Sequence, residues 1–107
     1  MKRILSNSLL AIITFVIAGG CFGAENVEVV ITDFTFQPEV LQIKSGTTVN
    51  WVNEDSAPHT ITSNDGTWDS GNIKKAATYH HQFDEIGTFE YHCTYHSSMT
   101  GTVVVSP

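Results

Sequence analysis

The stretch Phe89-Glu90-Tyr91-His92-Cys93-Thr94-Tyr95-His96-Ser97-Ser98-Met99 decides both how this chain folds and where its chemistry lies. Phe89, Tyr91 and Cys93 recur at every second position, which places them on the core face of one β-strand and sends Glu90 and His92 to the other face. Beyond the strand end the alternation stops and the chain must turn. A compact loop there brings Cys93, His96 and Met99, each three residues from the next, around one point. A thiolate, an imidazole and a thioether then share a short segment.

The same period extends outward. Val27 to Phe34 is rich in β-branched residues, with Val27, Val29 and Ile31 alternating. Val40 to Lys44 reads as a second strand that stops at Ser45-Gly46, and Thr47 to Val52 as a third, with Val49 and Trp51 on one face. Asn53 to Pro58 is a polar loop. His59 to Thr62 reads as a short strand closed by Ser63-Asn64-Asp65-Gly66. Ala77 to Phe83, Thr88 to Cys93 after a Gly87 turn, and Thr102 to Val105 complete the set. About seven short strands separated by turn signals predict one all-β domain, an antiparallel Greek-key β-sandwich. No repeat, phosphate-binding glycine loop or amphipathic helix follows Glu25.

Composition bounds the function. The chain has 107 residues, five Lys plus Arg, eleven Asp plus Glu and a formal charge of −6. That size fits one domain, and the hydrophobic content of 41% suits a packed core. Nucleic acid is excluded as a partner, because phosphate recognition needs a basic face. Two of the five cations, Lys2 and Arg3, precede an apolar run from Leu9 to Ala18 and the small residues Gly19-Gly20. This is the order of an export signal over residues 1–23, and the run is short of the ~20 residues a membrane span needs. Cleavage is expected either before Cys21, which would then carry a lipid anchor, or after Gly23. The domain then covers 24–107 and is exported to the periplasm, soluble or lipid-anchored. The one possible disulfide partner of Cys93 is Cys21, which lies in the processed segment, so a disulfide is not expected, and a single thiol in an oxidising compartment calls for a reason. Metal ligation supplies one.

Two soft sulfurs and an imidazole suit copper better than magnesium or calcium, which favour oxygen. His59, following Pro58 at the mouth of a strand, is the best further ligand. A His₂Cys plane with a long axial Met is the arrangement of electron-transfer copper. Structural zinc would need four firm Cys or His ligands and leave Met99 unused. Catalytic zinc or copper would need an open position, for which the pattern offers no room.

At these residues the chain resembles the cupredoxins, and among them the amicyanins, through the tight Cys-x-x-His-x-x-Met spacing at Cys93, His96 and Met99. The resemblance continues through Thr48 to Asn53, Pro58-His59 and Gly87 to Thr94, covering most of Val27 to Val105. It implies a cupredoxin-like fold and one type 1 copper ion held by His59, Cys93, His96 and Met99. It also implies one-electron transfer between redox partners such as a c-type cytochrome or a dehydrogenase. Asn53 matches the family position whose side chain ties the first-His loop to the backbone beside the Cys, here at Thr94. Tyr95 and Ser97 stand where prolines are common. Unlike proline, Tyr95 has an N–H, which is expected to donate towards the Cys93 sulfur.

His81 shares parity with Tyr79 and Phe83 and is expected to be a structural, partly buried histidine. His92 points away from the ligands. Trp51, Phe83, Phe89 and Tyr91 are core, and Trp68 sits in a loop. The dispersed acidic residues form a solvated surface, with steering towards a basic partner as the sharper reading. A monomeric carrier with no enzymatic activity is the leading function. A copper-binding or delivery protein in copper homeostasis is the alternative, although only one Met and one Cys are available for exchangeable ligation. A multicopper oxidase fragment lacks the extra His clusters that oxygen chemistry needs.

Overall fold

The computed structural model describes Glu25–Pro107. The export signal expected over 1–23, both cleavage points and Cys21 lie outside the described residues. Eight strands run in order: β1 (Asn26–Thr32), β2 (Thr35–Gln37), β3 (Val40–Lys44), β4 (Thr47–Asn53), β5 (Thr62–Ser63), β6 (Thr78–Phe83), β7 (Gly87–Cys93) and β8 (His96–Ser106). They form two four-stranded sheets, ordered β2-β1-β4-β6 and β3-β8-β7-β5.

The expected all-β sandwich is present, but it is not purely antiparallel. β1 runs parallel to β4, with Val29 opposite Trp51 and Ile31 opposite Asn53. β3 runs parallel to β8, with Leu41 opposite Val103 and Ile43 opposite Val105. The period of two tells which face a strand buries, not which strand lies beside it or in which direction. The chain leaves the first sheet after β2, contributes β3 to the second and returns as β4 beside β1.

Each inward face is supplied by the alternating residues. Val29 and Ile31 of β1, Val49 and Trp51 of β4, Tyr91 and Cys93 of β7, and Val103 and Val105 of β8 are all buried. Phe36 of the short β2 is buried as well and meets Tyr91 at 4.8 Å between ring centroids. Fully burying a side chain of this kind contributes roughly 1.5–3 kcal/mol relative to leaving it exposed. Trp68, expected only to sit in a loop, is buried and joins the aromatic core. It lies 5.9 Å from Trp51 and stacks on His81 at 5.0 Å with 25° between planes. His81 is the half-buried structural histidine expected from its parity.

Two boundaries differ in ways that matter for the site. His59 is not inside a strand; it forms a single bridge with Ile73, exchanging both backbone hydrogen bonds at 3.1 and 2.8 Å. The last strand begins at His96, well before the expected Thr102.

Candidate metal centre

The centre is built where β7 turns into β8. Cys93 pairs directly with His96, leaving only Thr94 and Tyr95 in the turn. The next pair is His92 with Thr100, so Ser97, Ser98 and Met99 have no opposite residue and form a bulge in β8. This irregularity achieves what the sequence assigned to a loop: it keeps Cys93 and Met99, both buried, on the core side of one hairpin. Bulges commonly re-aim side chains next to functional sites.

His59 arrives from the other side of the sandwich, on the loop that follows β4. Its Nδ1 lies 3.8 Å from the Cys93 Sγ, and the His96 Nδ1 lies 3.7 Å from the same sulfur. One donor atom from each of the three residues falls within 4.8 Å of the others. Thiolate and imidazole bonds to a first-row divalent ion are about 2.3 and 2.0–2.1 Å long. Sulfur-to-nitrogen separations of 3.7 and 3.8 Å would allow one ion to be reached by the thiolate and by either imidazole at these bond lengths, the donor types of electron-transfer copper. The donor set therefore fits the metal. His59 and Cys93 are 0% exposed, whereas His96 is half-buried.

The surrounding hydrogen bonds fix these donors. The Asp55 Oδ2 lies 2.9 Å from His59 Nε2. A carboxylate there accepts the Nε2–H, selects that tautomer and leaves the Nδ1 lone pair facing the sulfur. The other two donors to Asp55 are the backbone amides of Asp33, at 2.8 Å to Oδ1, and Phe34, at 2.9 Å to Oδ2. Burial raises the Asp55 pKa, but the amide of Phe34, the His59 ring and the amide of Asp33 outweigh it, and the carboxyl lies below its ordinary value.

Two sequence expectations are corrected here. Asn53 does not reach Thr94. It is fully buried, donates through Nδ2 to the carbonyls of Ala57 and Ile73 at 3.0 and 3.1 Å, and accepts from the Asp55 amide at 2.9 Å. It organises the His59 loop from within. The tie to the Cys93 side is made by Thr60, whose Oγ1 accepts the Thr94 amide at 2.8 Å and meets the Thr94 hydroxyl at 2.9 Å. Nor does the sulfur's amide donor come from Tyr95: the Thr60 N–H donates to Cys93 Sγ at 3.4 Å. Tyr95 instead turns outward, its hydroxyl donating to Asn72 Oδ1 at 2.9 Å. His92 faces away from the site, as expected, with its Nδ1 2.6 Å from Asn64 Oδ1.

Asp55, Thr60 and Phe34 were not foreseen. Asp55 carries a faint signal, a carboxylate four residues before the candidate ligand His59. Thr60 follows that histidine directly and is indistinguishable from any strand threonine. Phe34 comes from a remote turn and nothing in the sequence connects it with the site.

Comparison with known proteins agrees with this geometry. The sequence model of the cupredoxin-like domain matches residues 8–105. Amicyanin of Paracoccus denitrificans is 35% identical over 80 residues, covering 70% of this chain and 61% of that protein, so the chain spans about three fifths of its relative's length. Amicyanin-alpha of Methylorubrum extorquens is 33% identical over 87 residues, covering 77% of this chain and 73% of the relative. A solved structure of a reduced amicyanin mutant superposes with a TM-score of 0.72 at 33% identity, covering 81% of this chain and 86% of that one. Two-sheet fold, convergent imidazoles and thiolate, and kinship along most of the domain lead to one conclusion: the chain belongs to the cupredoxin family, with copper as its cofactor.

Proposed function

We propose that this protein is a periplasmic one-electron carrier that holds a single type 1 copper ion through His59, Cys93, His96 and Met99. The observation that carries the reading is the convergence of one thiolate and two imidazoles within 4.8 Å. All three are fixed by the fold: Asp55 orients one ring, the two-residue turn sets the other, and Thr60 holds the sulfur's environment.

Bound copper supplies the one-electron couple, and the protein's own residues keep the surroundings constant while the charge changes. The Thr60 N–H directs positive charge at the Cys93 sulfur, which withdraws electron density from it and favours the reduced state. Met99, buried on the same hairpin, would offer bound copper a weak thioether ligand. His96 is the less buried of the two imidazoles, so it is the exit for the electron towards a redox partner such as a c-type cytochrome or a dehydrogenase. In this reading the protein carries electrons between partners and is not an enzyme. The export-signal order of residues 1–23 supports the periplasmic location.

Adding Cu(II) to the purified protein and recording absorption and electron paramagnetic resonance spectra tests the proposal. An intense thiolate-to-copper band with small hyperfine splitting is expected, and Cys93→Ser should abolish it. A colourless protein, or one that fills with zinc and rejects copper, refutes it. Copper that a mild chelator removes as fast as it is added would favour the delivery reading.

A further inference from the structure

The turn joining β1 to β2 carries an unusual pair. Asp33 and Phe34 both sit in the left-handed region, with φ of 53° and 59°. Aspartate, like asparagine, tolerates this region, so Asp33 is at home there, but a bulky aromatic side chain such as Phe34 is strongly disfavoured. A turn that served only to reverse the chain would be better made by glycine. Such a conformation persists when its surroundings over-determine it, and it concentrates at functional sites. Here the surroundings are one carboxylate: both amides of the turn donate to Asp55, which also takes His59 Nε2.

The outcome is the position of one ring. Phe34 forms a T-shaped pair with His59, with centroids 5.1 Å apart and planes at 89°, and another with His96 at 4.8 Å and 88°. The two imidazoles are themselves 5.2 Å apart. Phe34 is 46% exposed, so one side of its ring faces water while the other spans both imidazoles. The β1–β2 turn belongs to the opposite sheet from the Cys93–His96 hairpin, and it contributes no donor to the metal.

We propose that Phe34, held by Asp55 in this left-handed turn, is the cover of the metal centre, an apolar plate that denies water and small anions a coordination position. The inference rests on the copper reading above. It gives the site a reason to pass electrons without binding exogenous ligands, because catalytic metal sites keep a position open for water or substrate. The ring also shields the donors before any metal arrives, since it packs directly on the two side chains that flank the Cys93 sulfur.

Azide is the probe for the loaded protein, and iodoacetamide for the metal-free one. In the Cu(II) form, wild type is expected to keep its absorption and resonance spectra when azide is added. Phe34→Ala should acquire azide-dependent spectra, and Phe34→Leu, which keeps bulk without the flat ring, should respond to an intermediate degree. In the metal-free form, alkylation of Cys93, followed by peptide mass spectrometry, should be at least about tenfold faster in Phe34→Ala than in wild type. Equal azide sensitivity in wild type and Phe34→Ala, or unchanged alkylation rates, overturns the proposal. If no variant develops a thiolate-to-copper band, the copper reading has failed, and the alkylation rates still decide whether Phe34 is a cover.

Discussion

Thr60→Val isolates the cross-link between the two ligand-bearing segments. The substitution preserves shape but removes the hydroxyl, so the Thr94 amide loses its acceptor at 2.8 Å and the Thr62 and Thr94 hydroxyls each lose a partner at 2.9 Å. Thr60 is buried, so water cannot readily replace its oxygen, whereas Thr94 lies nearer the surface and is partly compensated. A donor left unpaired costs about 1–3 kcal/mol when buried, and partial access places this case at about 1–2 kcal/mol. With a urea dependence of about 1–2 kcal/mol per molar for a domain this small, the unfolding midpoint of the metal-free protein should fall by roughly 1 M. Thr60→Ser keeps the hydroxyl and should lose no more than about 0.5 kcal/mol. Thr94→Val removes only the hydroxyl pair, and its effect should be smaller and non-additive with Thr60→Val. A loss below about 0.5 kcal/mol for Thr60→Val, or equal losses for the Val and Ser variants, would show that the cross-link is not the anchor described here.

Two further outcomes follow from the core. At Gly101, an added Cβ would overlap Cζ and the hydroxyl of Tyr91, whose ring is buried between Phe36 and Trp51 at centroid distances of 4.8 and 5.4 Å and cannot retreat. Gly101→Ala should therefore cost about 1–3 kcal/mol in denaturation of the metal-free protein, and adding Tyr91→Leu in the same chain should make the second substitution cheaper than it is alone. His81 should give the protein a measurable acid sensitivity. Its burial, against Trp68 and Phe83, lowers its pKa from the usual 6.5, with Asp84 opposing the shift. The fold prefers the neutral ring, so this contribution is complete above the unfolded-state value of about 6.5 and is lost as the pH falls through the lower folded-state value. Between about pH 7.5 and pH 5, metal-free His81→Leu should lose less stability than wild type; parallel losses would show that His81 does not titrate as described.

The parts of the molecule that were legible in the sequence are those where each residue's role depends on near neighbours. Alternation in β4 and β7 exposed the core face, and the spacing of Cys93, His96 and Met99 pointed to the hairpin where the candidate site lies. What could not be read depends on partners far away in sequence. The parallel pairing of β3 with β8 joins Val40 to Thr102, and no local pattern encodes it. Trp68 gave only turn signals around it, yet its indole fills space between the sheets. Asn53 was placed correctly at the edge of the site but given the wrong partner, because a side chain with two donors and an acceptor suits several nearby carbonyls equally well. Thr60 and Asp55 act by hydrogen bonds across the loop, and their residue types occur so often in turns and strands that composition carries no trace of the role.

The placement of β8 has a consequence for the order in which the protein is assembled. This strand is the last of the eight described strands, yet it lies inside its sheet, between β3 and β7. Until it arrives, β3 has no neighbour and Cys93 has neither His96 nor Met99 beside it. Pairings as distant as Val40 with Thr102 close late, because long-range contacts must first overcome the entropy of the intervening loop. A growing chain that still lacks β8 therefore carries the Cys93 thiol and the His59 imidazole but neither His96 nor Met99. On the proposed ligand set, copper loading becomes a report on the completed fold, since only a molecule whose β8 has docked presents every donor.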